Sequence, residues 1–383
     1  MENLPGDVLS KIFIRLLAKQ LAQMRCVCKT WNAILSESSF IKSHLHHSIH
    51  NNDEILFFFK KNTIIFNCFS SPGPITARPS SSPRLELTNF IKLKFPINPQ
   101  HKNPSVTVII GSMNGLICFS YSSNHDYFIC IWNPSLSASL TLPPSSLPYT
   151  RYFLAFGYDP KTDDYKVVKL ENIPYYEKPN INMVTQPLGE VYSMRKGSWK
   201  LIPQTIPSYI KLFIGQNEVC LNGHLHWLCL TDLEVSPRPQ TILTFELGAM
   251  TYGQIPLPDS VQLDQHLFRV NTLGVLGGKL CLMSSAKDGE FGVWVMDDDE
   301  SWAKHHVFSQ FSSCITPYGF TSHKEFLFQV GVTCRFALYD PVAAKTKIFK
   351  IKMRPPVVDR LIIFRYVDSL VWIAPNSRLK LAA

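Results

Sequence analysis

The sequence lacks the features that would assign it to a membrane or to the secretory pathway. No uninterrupted apolar run approaches the about 20 residues that a membrane helix needs, and the densest, residues 55–59, ends at a pair of lysines. Asp7, Lys11 and Arg15 interrupt the apolar positions near the N-terminus, which is not the pattern of a signal peptide. These absences predict a soluble protein of the cytoplasm, the nucleus or both, with no membrane as a partner.

Signatures of catalysis are also missing. The sequence has no Walker-type phosphate loop, no glycine fingerprint for dinucleotides and no Gly-x-Ser-x-Gly nucleophile elbow. Cys26 and Cys28 lie near His44 in the chain, but the spacing of the three matches no common zinc pattern. We therefore expect no catalytic residue, no metal and no cofactor, and hence a protein that is not an enzyme.

Two other polar groups are expected to be surface features. His224 and His226 alternate on a predicted strand and therefore point to one face, which we expect to be solvated. The acidic run at residues 297–300 precedes a Ser-Trp pair at a predicted turn and is expected to be a solvated loop. Neither group favours a ligand site over an ordinary surface.

The composition of the chain predicts a well-packed core. Charged residues are scarce, at 17%, whereas hydrophobic residues make up 45% of the 383 residues, which excludes wholesale disorder. At about 150 residues per domain, the length allows two or three domains. The ten cysteines are spread over apolar segments, such as those around Cys118 and Cys281, and are predicted to be reduced, buried thiols.

Most of the net charge of +9 lies at the C-terminal end, because residues 341–383 carry a net charge of +7. This local basicity argues against a nucleic-acid groove that runs along the whole protein. Several of the cations alternate with apolar residues and predict a basic strand that faces an acidic target: Lys345, Lys347, Lys350 and Lys352. An ordinary solvated outer strand is the alternative.

Residues 1–45 differ from the rest of the chain because their apolar residues follow helical spacing. A first stripe predicts a helix, a second stripe predicts another, and a short third helix is expected around Ile34 and Leu35. The stripes consist of Leu4, Val8, Leu9, Ile12, Phe13 and Leu16, and then of Leu21, Met24, Val27, Cys28 and Trp31. So short a segment cannot bury all these side chains internally, so some must meet a partner or, alternatively, the rest of this chain.

The same residues resemble an F-box of the plant type. The resemblance rests on Leu4-Pro5-x-Asp7-Val8-Leu9-x-x-Ile12-Phe13-x-Arg15-Leu16, Leu21, Arg25-Cys26-Val27-Cys28-Lys29-x-Trp31-x-x-Ile34 and Phe40. It implies a three-helix domain, residues 1–45, that docks on a Skp-family adaptor, which in turn holds a cullin and a RING subunit. The implied contact residues are Leu4, Pro5, Val8, Leu9, Ile12, Leu16, Leu21, Val27 and Trp31. Trp31 and Cys28 hold the helices together in the alternative interpretation.

One departure from the F-box pattern lies just after the first helix. The family usually has proline after the Arg-Leu pair, whereas this chain has Leu17 and Ala18. Proline at that point would stop the helix. Its absence predicts that the first helix continues for a residue or two.

The remainder of the chain has the composition of a mainly antiparallel β domain. Residues 46–105 are expected to form a connecting segment with first strands at 55–59 and 64–69, and with a low-complexity loop at 70–83 that has no element of its own. From residue 106, three kinds of landmark recur with a period near 50: Asn-Gly or Gly-Gly turns, aromatic-containing phrases such as Ile131-Trp-Asn-Pro and Leu338-Tyr-Asp-Pro, and Ser-Trp phrases. Five such units fit after residue 106 and the earlier segment could supply a sixth, which predicts a kelch-like β-propeller. A large β-sandwich is the alternative.

The order of these landmarks resembles the plant F-box-associated interaction domain over residues 106–375. The group includes S-locus F-box proteins and defence-related F-box receptors. The phrases are Asn114-Gly-Leu, Ile131-Trp-Asn-Pro, Phe156-Gly-Tyr-Asp-Pro160, Asp164-Tyr-Lys-Val-Val168, Val191-Tyr-Ser193 with Ser198-Trp199, and Asn222-Gly-x-Leu-x-Trp227.

The two resemblances together imply the substrate-recognition subunit of a Skp–cullin–F-box (SCF) ubiquitin ligase, which recruits a target protein for ubiquitylation and degradation. An F-box protein that binds a partner without ubiquitylation is the alternative.

Overall fold

The structure is a computed structural model of the chain. It describes residues 4–50, 54–60, 75–79, 91–93, 95–97, 100–101, 105–123, 126–147, 152–171, 188–214, 218–235, 238–262, 271–285, 291–308, 315–321, 324–330, 335–350 and 361–373. Two compact units are present: Met1–Leu142 with Asp359–Ala383, and Pro143–Val358. No helix among the described residues is long and apolar enough to cross a membrane.

The N-terminal region is helical, as expected, but it contains four helices where three were predicted. They are α1 (Gly6–Phe13), α2 (Ala18–Met24), α3 (Lys29–Ser36) and α4 (Ser38–His50). The additional helix is α4, which covers residues where no helix was predicted. The second predicted stripe is divided between α2 and α3, because Cys28 has extended backbone angles and its Sγ accepts a hydrogen bond from the Trp31 N–H, 3.4 Å away. Cys28 thereby caps α3 at its N-terminus.

The first helix does not continue past the predicted boundary, which corrects the expectation drawn from the missing proline. α1 ends at Phe13, and the next two turn hydrogen bonds, from Arg15 and Leu16, reach back only three residues. Leu17 then adopts φ −65° and ψ 144° and begins the cap of α2. The chain therefore leaves the first helix before Leu17, although no proline is present there.

The β region follows in chain order. Its strands are β1 (Glu54–Lys60), β2 (Ile75–Pro79), β3 (Ile91–Leu93), β4 (Ser105–Met113), β5 (Leu116–Ser123), β6 (Asp126–Asn133), β7 (Ala138–Thr141), β8 (Tyr152–Asp159), β9 (Asp164–Glu171), β10 (Gly189–Ser193), β11 (Ser198–Leu201), β12 (Leu212–Phe213), β13 (Val219–Leu221), β14 (His224–Leu230), β15 (Gln240–Glu246), β16 (Thr251–Ile255), β17 (Asn271–Leu276), β18 (Lys279–Ser285), β19 (Phe291–Met296), β20 (Trp302–Phe308), β21 (Ile315–Phe320), β22 (Phe326–Val330), β23 (Arg335–Asp340), β24 (Lys345–Lys350) and β25 (Leu361–Val367). A short helix, α5 (Asp259–Gln262), follows β16.

The strands of the described residues form six antiparallel sheets. Five of them follow each other along the chain: β4 to β7, β8 to β11, β12 to β16, β17 to β20 and β21 to β24. The sixth has the order β25-β1-β2-β3, so it combines the first strands of the β region with the last. The register between β1 and β25 brings Phe57 opposite Phe364. The five sheets predicted after residue 106 are present, whereas the sixth takes only three strands from the earlier segment and its fourth, β25, from the C-terminal end.

One part of the predicted connecting segment is wrong. The low-complexity loop at 70–83 was expected to contain no element, but β2 lies within it and pairs with both β1 and β3. The turn-forming residues around β2 gave no sign of a strand in the sequence, because the strand depends on backbone partners from other parts of the chain. The predicted strand at 64–69 lies outside the described residues.

The predicted tight turns are confirmed by their backbone angles. Positive φ occurs at both residues of each pair: Asn114 (52°) and Gly115 (79°), Asn222 (50°) and Gly223 (81°), Gly277 (60°) and Gly278 (80°). These pairs connect β4 to β5, β13 to β14 and β17 to β18. Positive φ at both central residues defines the hairpin turn that matches the twist of the strands.

The two predicted Ser-Trp phrases make the same contact. The indole N–H of Trp199 on β11 donates to the carbonyl of Pro143 at 2.8 Å, and that of Trp302 on β20 donates to the carbonyl of Pro256 at 2.8 Å. Each tryptophan lies on the last strand of its sheet, and each proline follows the last strand of an earlier sheet. The sequence repeat thus corresponds to a repeated hydrogen bond.

Candidate functional site

Helix α1 has apolar residues on two faces, and only one face is buried. Leu9 and Phe13 are 3% and 1% exposed, whereas Leu4, Val8 and Ile12 are 40%, 36% and 44% exposed. The three exposed residues are spaced by four positions, so they follow one side of the helix and its N-terminal extension. An apolar row of this kind on a helix that is already packed on its other face is typical of a surface that a partner covers.

Two more exposed apolar residues lie in the turns that border α2. Leu17 precedes α2 and Val27 follows it, and they are 57% and 63% exposed. We refer to Leu4, Val8, Ile12, Leu17 and Val27 together as the apolar surface. Leu17 was not predicted as a contact residue. The signal that could have identified it is its place in the sequence, where the F-box pattern usually has proline.

The structure assigns other predicted contact residues to the interior, which corrects the prediction for them. Leu9 and Leu21 are buried in the cluster that holds the helices together, so neither forms an exposed contact of the folded chain. Helical spacing identifies apolar residues but does not tell which of two apolar faces points inward.

The remaining predicted contacts are intermediate cases. Leu16 and Trp31 are half-buried, and the Trp31 ring packs edge-on against Phe13 with centroids 5.1 Å apart. Pro5 is exposed and occupies the N-cap position of α1, where its carbonyl accepts hydrogen bonds from the N–H groups of Val8 and Leu9. Trp31 therefore holds the helices together, as the alternative interpretation expected for it and for Cys28.

The candidate metal ligands of the helical region have other partners. His44 is 1% exposed, and its Nε2 lies 2.9 Å from the carbonyl oxygen of Leu16. Cys28 caps α3, and Cys26 is exposed rather than buried as predicted. Among the described residues, no group of three or more His, Cys, Asp or Glu side chains could hold a metal ion.

The strand histidines are not both solvated, which corrects the prediction for His226. His226 is 6% exposed, and burial lowers its pKa to about 4. Its Nδ1 lies 3.2 Å from the carbonyl oxygen of Val219, so the neutral ring donates there. The ring centroids of His224 and His226 are 6.4 Å apart.

The sheet of β8 to β11 contains a buried ion pair that the sequence analysis missed. Lys166 Nζ lies 2.8 Å from Asp159 Oδ2 and also donates to the carbonyl of Leu247 at 2.9 Å. Burial alone would raise the pKa of Asp159, but hydrogen bonds from Lys166 and Thr162 outweigh it and lower the pKa. The signal was present as charged residues placed among the apolar residues of β9.

A second buried lysine lies on the same strand. Lys169 is 1% exposed, and its Nζ donates to Ser145 Oγ at 2.5 Å and to the carbonyl of Leu147 at 3.0 Å. The ammonium group also lies 3.9 Å from the centroid of the Tyr152 ring. Burial lowers the pKa of Lys169. These contacts bind the chain segment that precedes β8, and they leave the ammonium group enclosed rather than open to a ligand.

The predicted acidic loop and basic strand are both at the surface. Asp297 lies 3.0 Å from Lys279 in the turn between β19 and β20, so the acidic run contacts a cation of its own chain. Lys345 and Lys347 are exposed on β24, the last strand of its sheet. Lys350 ends that strand, and Lys352 lies outside the described residues.

Comparisons with known proteins identify the class to which this helical and β-sheet architecture belongs. Residues 54–361 match the family described as F-box associated beta propeller domain, and residues 1–46 match the family described as F-box-like. The first match alone spans well over half of the chain. The chain therefore belongs to the F-box proteins that carry an F-box-associated β-propeller domain.

Its relatives are plant F-box proteins. The chain is 27% identical to the F-box protein CPR1 of Arabidopsis thaliana over 79% of this chain and 72% of that protein. It is 27% identical to the F-box protein At5g65850 of the same plant, over 79% of this chain and 70% of that protein. It is also 25% identical to the F-box/kelch-repeat protein At3g23880 of Arabidopsis thaliana, over 79% of this chain and 78% of that protein.

These findings confirm the two family resemblances and the propeller, and they exclude the sandwich. The F-box implies binding to a Skp-family adaptor within an SCF complex. Proteins with an F-box and a propeller are typically non-catalytic adaptor subunits.

Proposed function

We propose that this chain is the substrate-recognition subunit of an SCF-type ubiquitin ligase. In this function the apolar surface binds a Skp-family adaptor, which connects the chain to a cullin and a RING subunit. The β domain binds a target protein, which is then ubiquitylated and degraded. The observation that carries the proposal is the row of Leu4, Val8 and Ile12, which remains exposed although α1 is packed on its opposite face.

The apolar surface is energetically suited to a stable interface. Full burial of an exposed leucine, valine or isoleucine contributes about 1.5–3 kcal/mol, so burying the exposed part of these half-covered side chains contributes roughly 1 kcal/mol each. Because the surrounding helices are held in place by their own core, little order would be lost on binding.

In this function the chain performs no bond chemistry. It holds a target beside a ubiquitin-loaded enzyme, so that attack by a target lysine becomes effectively intramolecular. The gain comes from position alone, which is consistent with the lack of a catalytic constellation in the sequence.

The direct test changes the apolar surface without touching the core. Val8→Asp and Ile12→Asp should abolish co-purification of a Skp-family adaptor and a cullin, because each places a charge in the proposed interface. Val342→Asp is the matched control, since Val342 is 95% exposed and lies in the other compact unit. Normal adaptor binding by both α1 variants would contradict the proposal.

The same variants separate ubiquitylation from simple binding. If the chain recruits a target for degradation, a protein that co-purifies with it should accumulate in cells when Val8→Asp replaces the normal chain. Unchanged partner levels, with adaptor binding lost, would favour the alternative in which the chain binds its partner without ubiquitylation.

For target binding we propose a contribution from the basic strand. Lys345 and Lys347 are exposed on the last strand of a sheet and could attract an acidic target before contact. Charge reversal of both, Lys345→Glu with Lys347→Glu, should slow association with the target and reduce its salt dependence. Unchanged affinity and salt dependence would leave β24 as an ordinary solvated strand.

A further inference from the structure

The chain segment that follows β25 lies against the N-terminal helices. We refer to residues 368–373 as the C-terminal clamp. They belong to the same compact unit as α1 to α4 and the sheets β25-β1-β2-β3 and β4 to β7. The clamp has no regular secondary structure, yet Ser369, Leu370 and Ile373 are all buried. A buried irregular segment needs specific partners, and those partners indicate what it does.

The clamp supplies a cap that α2 lacks. Leu17 occupies the cap position of α2, and its side chain cannot accept a hydrogen bond. The Leu17 N–H is bound by Gln20 Oε1 at 3.1 Å, and the Ala18 N–H donates to Asp368 Oδ2 at 2.5 Å. A carboxylate at a helix N-terminus is also favoured by the helix dipole. Asp368 thus caps a helix that lies at the opposite end of the sequence.

The same carboxylate is held in place by the β domain. Asp368 Oδ1 accepts a hydrogen bond from Ser135 Oγ, in the turn between β6 and β7. The Ser135 N–H in turn donates to the hydroxyl of Tyr366 at 3.1 Å, and Tyr366 is buried. Each oxygen of Asp368 therefore joins a different element, one the helices and the other the sheets.

Apolar packing reinforces this link on the helical side. Leu370 is fully buried in the cluster that contains Leu9 and Leu21, directly behind the exposed row of α1. The guanidinium of Arg25, which lies just after α2, is 4.3 Å from the centroid of the Trp372 ring. The clamp therefore contributes to the core that supports the apolar surface.

The clamp is also bound by the sheet of β4 to β7. The amide of Asn133, which is fully buried, donates to the carbonyls of Ser369 at 3.0 Å and Val371 at 2.9 Å. Gly115 lies so close that a Cβ placed there would be 2.2 Å from the Cβ of Ser369. The tight turn between β4 and β5 thus requires glycine both for its positive φ and for the approach of the clamp.

We propose that the C-terminal clamp is a positioning element that fixes the adaptor-binding helices onto the sheets of their own compact unit, with Asp368 and Leu370 as its positioning residues. This inference rests on the proposed function, because it concerns the surface that binds the adaptor. By joining α2 to the turn between β6 and β7, the clamp holds the apolar surface in one orientation relative to the sheet of β4 to β7.

The test uses the full chain and two observables. In Asp368→Ala, hydrogen exchange of the α2 amides should accelerate about tenfold, as expected for the loss of a charge-assisted hydrogen bond. Affinity for a purified Skp-family adaptor should fall several-fold, whereas exchange in β8 to β11 should stay unchanged. Asp368→Asn retains a carbonyl acceptor for the Ala18 N–H and should restore much of the protection. Ser135→Ala, which leaves the Ala18 contact intact, should have a smaller effect on α2.

A pair of truncations supplies a second, independent test. Compared with removal of residues 374–383 alone, removal of residues 368–383 should accelerate hydrogen exchange of α2 and reduce adaptor affinity, each at least tenfold. Normal α2 protection in both Asp368→Ala and the longer truncation would overturn the inference. The failure of the proposed function is distinguishable, because it would show as normal adaptor binding by Val8→Asp, whatever the exchange of α2.

Discussion

The N-terminal helices and the sheet of β8 to β11 depart from the usual distribution of polarity in opposite ways. The helices leave apolar side chains such as Val8 and Ile12 exposed, whereas the sheet buries the charged side chains of Asp159, Lys166 and Lys169. The buried charges have partners within the chain, whereas no described residue covers the exposed apolar row. A buried charge that is paired within the chain therefore matters for stability, whereas an apolar row that stays exposed indicates a partner.

The strongest way to break this comparison is to remove one partner from the buried ion pair. Lys166→Met should lower the free energy of unfolding by about 3–5 kcal/mol, because it leaves the carboxylate of Asp159 buried without its cation. Urea denaturation, monitored by hydrogen exchange of peptides from β8 to β10, measures the change in the free energy of unfolding. A loss no larger than the about 1 kcal/mol expected for a surface pair would show that the sheet does not depend on this contact.

The two faces of α1 provide the next test. Leu9→Ala should destabilise the unit that contains the helices by about 2–5 kcal/mol, because it leaves a cavity in a buried cluster. Val8→Ala, one residue away, should change stability little but weaken adaptor binding. Thermal denaturation and adaptor affinity, measured on both variants, should give opposite rankings; the same ranking in both assays would contradict the assignment of faces.

A pH titration sharpens the comparison on the side of the buried polar groups. The pKa of His226 is lowered to about 4 in the folded chain from 6.5. Between these two values the unfolded chain takes up a proton at this histidine and the folded chain does not. The free energy of unfolding should therefore be highest above pH 6.5 and fall by about 3 kcal/mol by pH 4. In His226→Gln this contribution should disappear, and in His224→Gln it should remain.

The smallest effect is expected at the exposed ion pair between the turn that follows β8 and the end of β15. Lys161 Nζ lies 2.6 Å from Glu246 Oε1, but the lysine side chain is 70% exposed. Lys161→Met should therefore leave the urea midpoint unchanged, since solvent screens such pairs. A loss comparable to that of Lys166→Met would mean that burial does not distinguish the two pairs.

Features of the fold that depend on residues close in sequence were predicted, whereas those that depend on distant residues were not. The Asn114 and Gly115 turn and the Ser-Trp phrases depend on neighbouring residues or on a repeated motif, and they were predicted. Strand β2, by contrast, lies among prolines and serines and exists because β1 and β3 provide partners. Its location could not be inferred from local composition.

For the candidate site, the sequence predicted the F-box motif but not which of its apolar residues are exposed. The spacing of Leu4, Val8, Leu9 and Ile12 identified apolar residues on a helix but ranked Leu9 with its exposed neighbours. Asp368 carried no signal, because it caps a helix whose start is Ala18 and nothing near it in the sequence shows that contact.

The order of residues along the chain by itself determined the helical start, the F-box motif, the recurring turns and the β-rich remainder, because each depends on side chains that are close in sequence. Tertiary structure alone decided which side of α1 is covered, that the last strand pairs with the first, and that a C-terminal aspartate caps an N-terminal helix. The physical reason is that burial and hydrogen bonding between distant segments depend on where the folded chain brings them together.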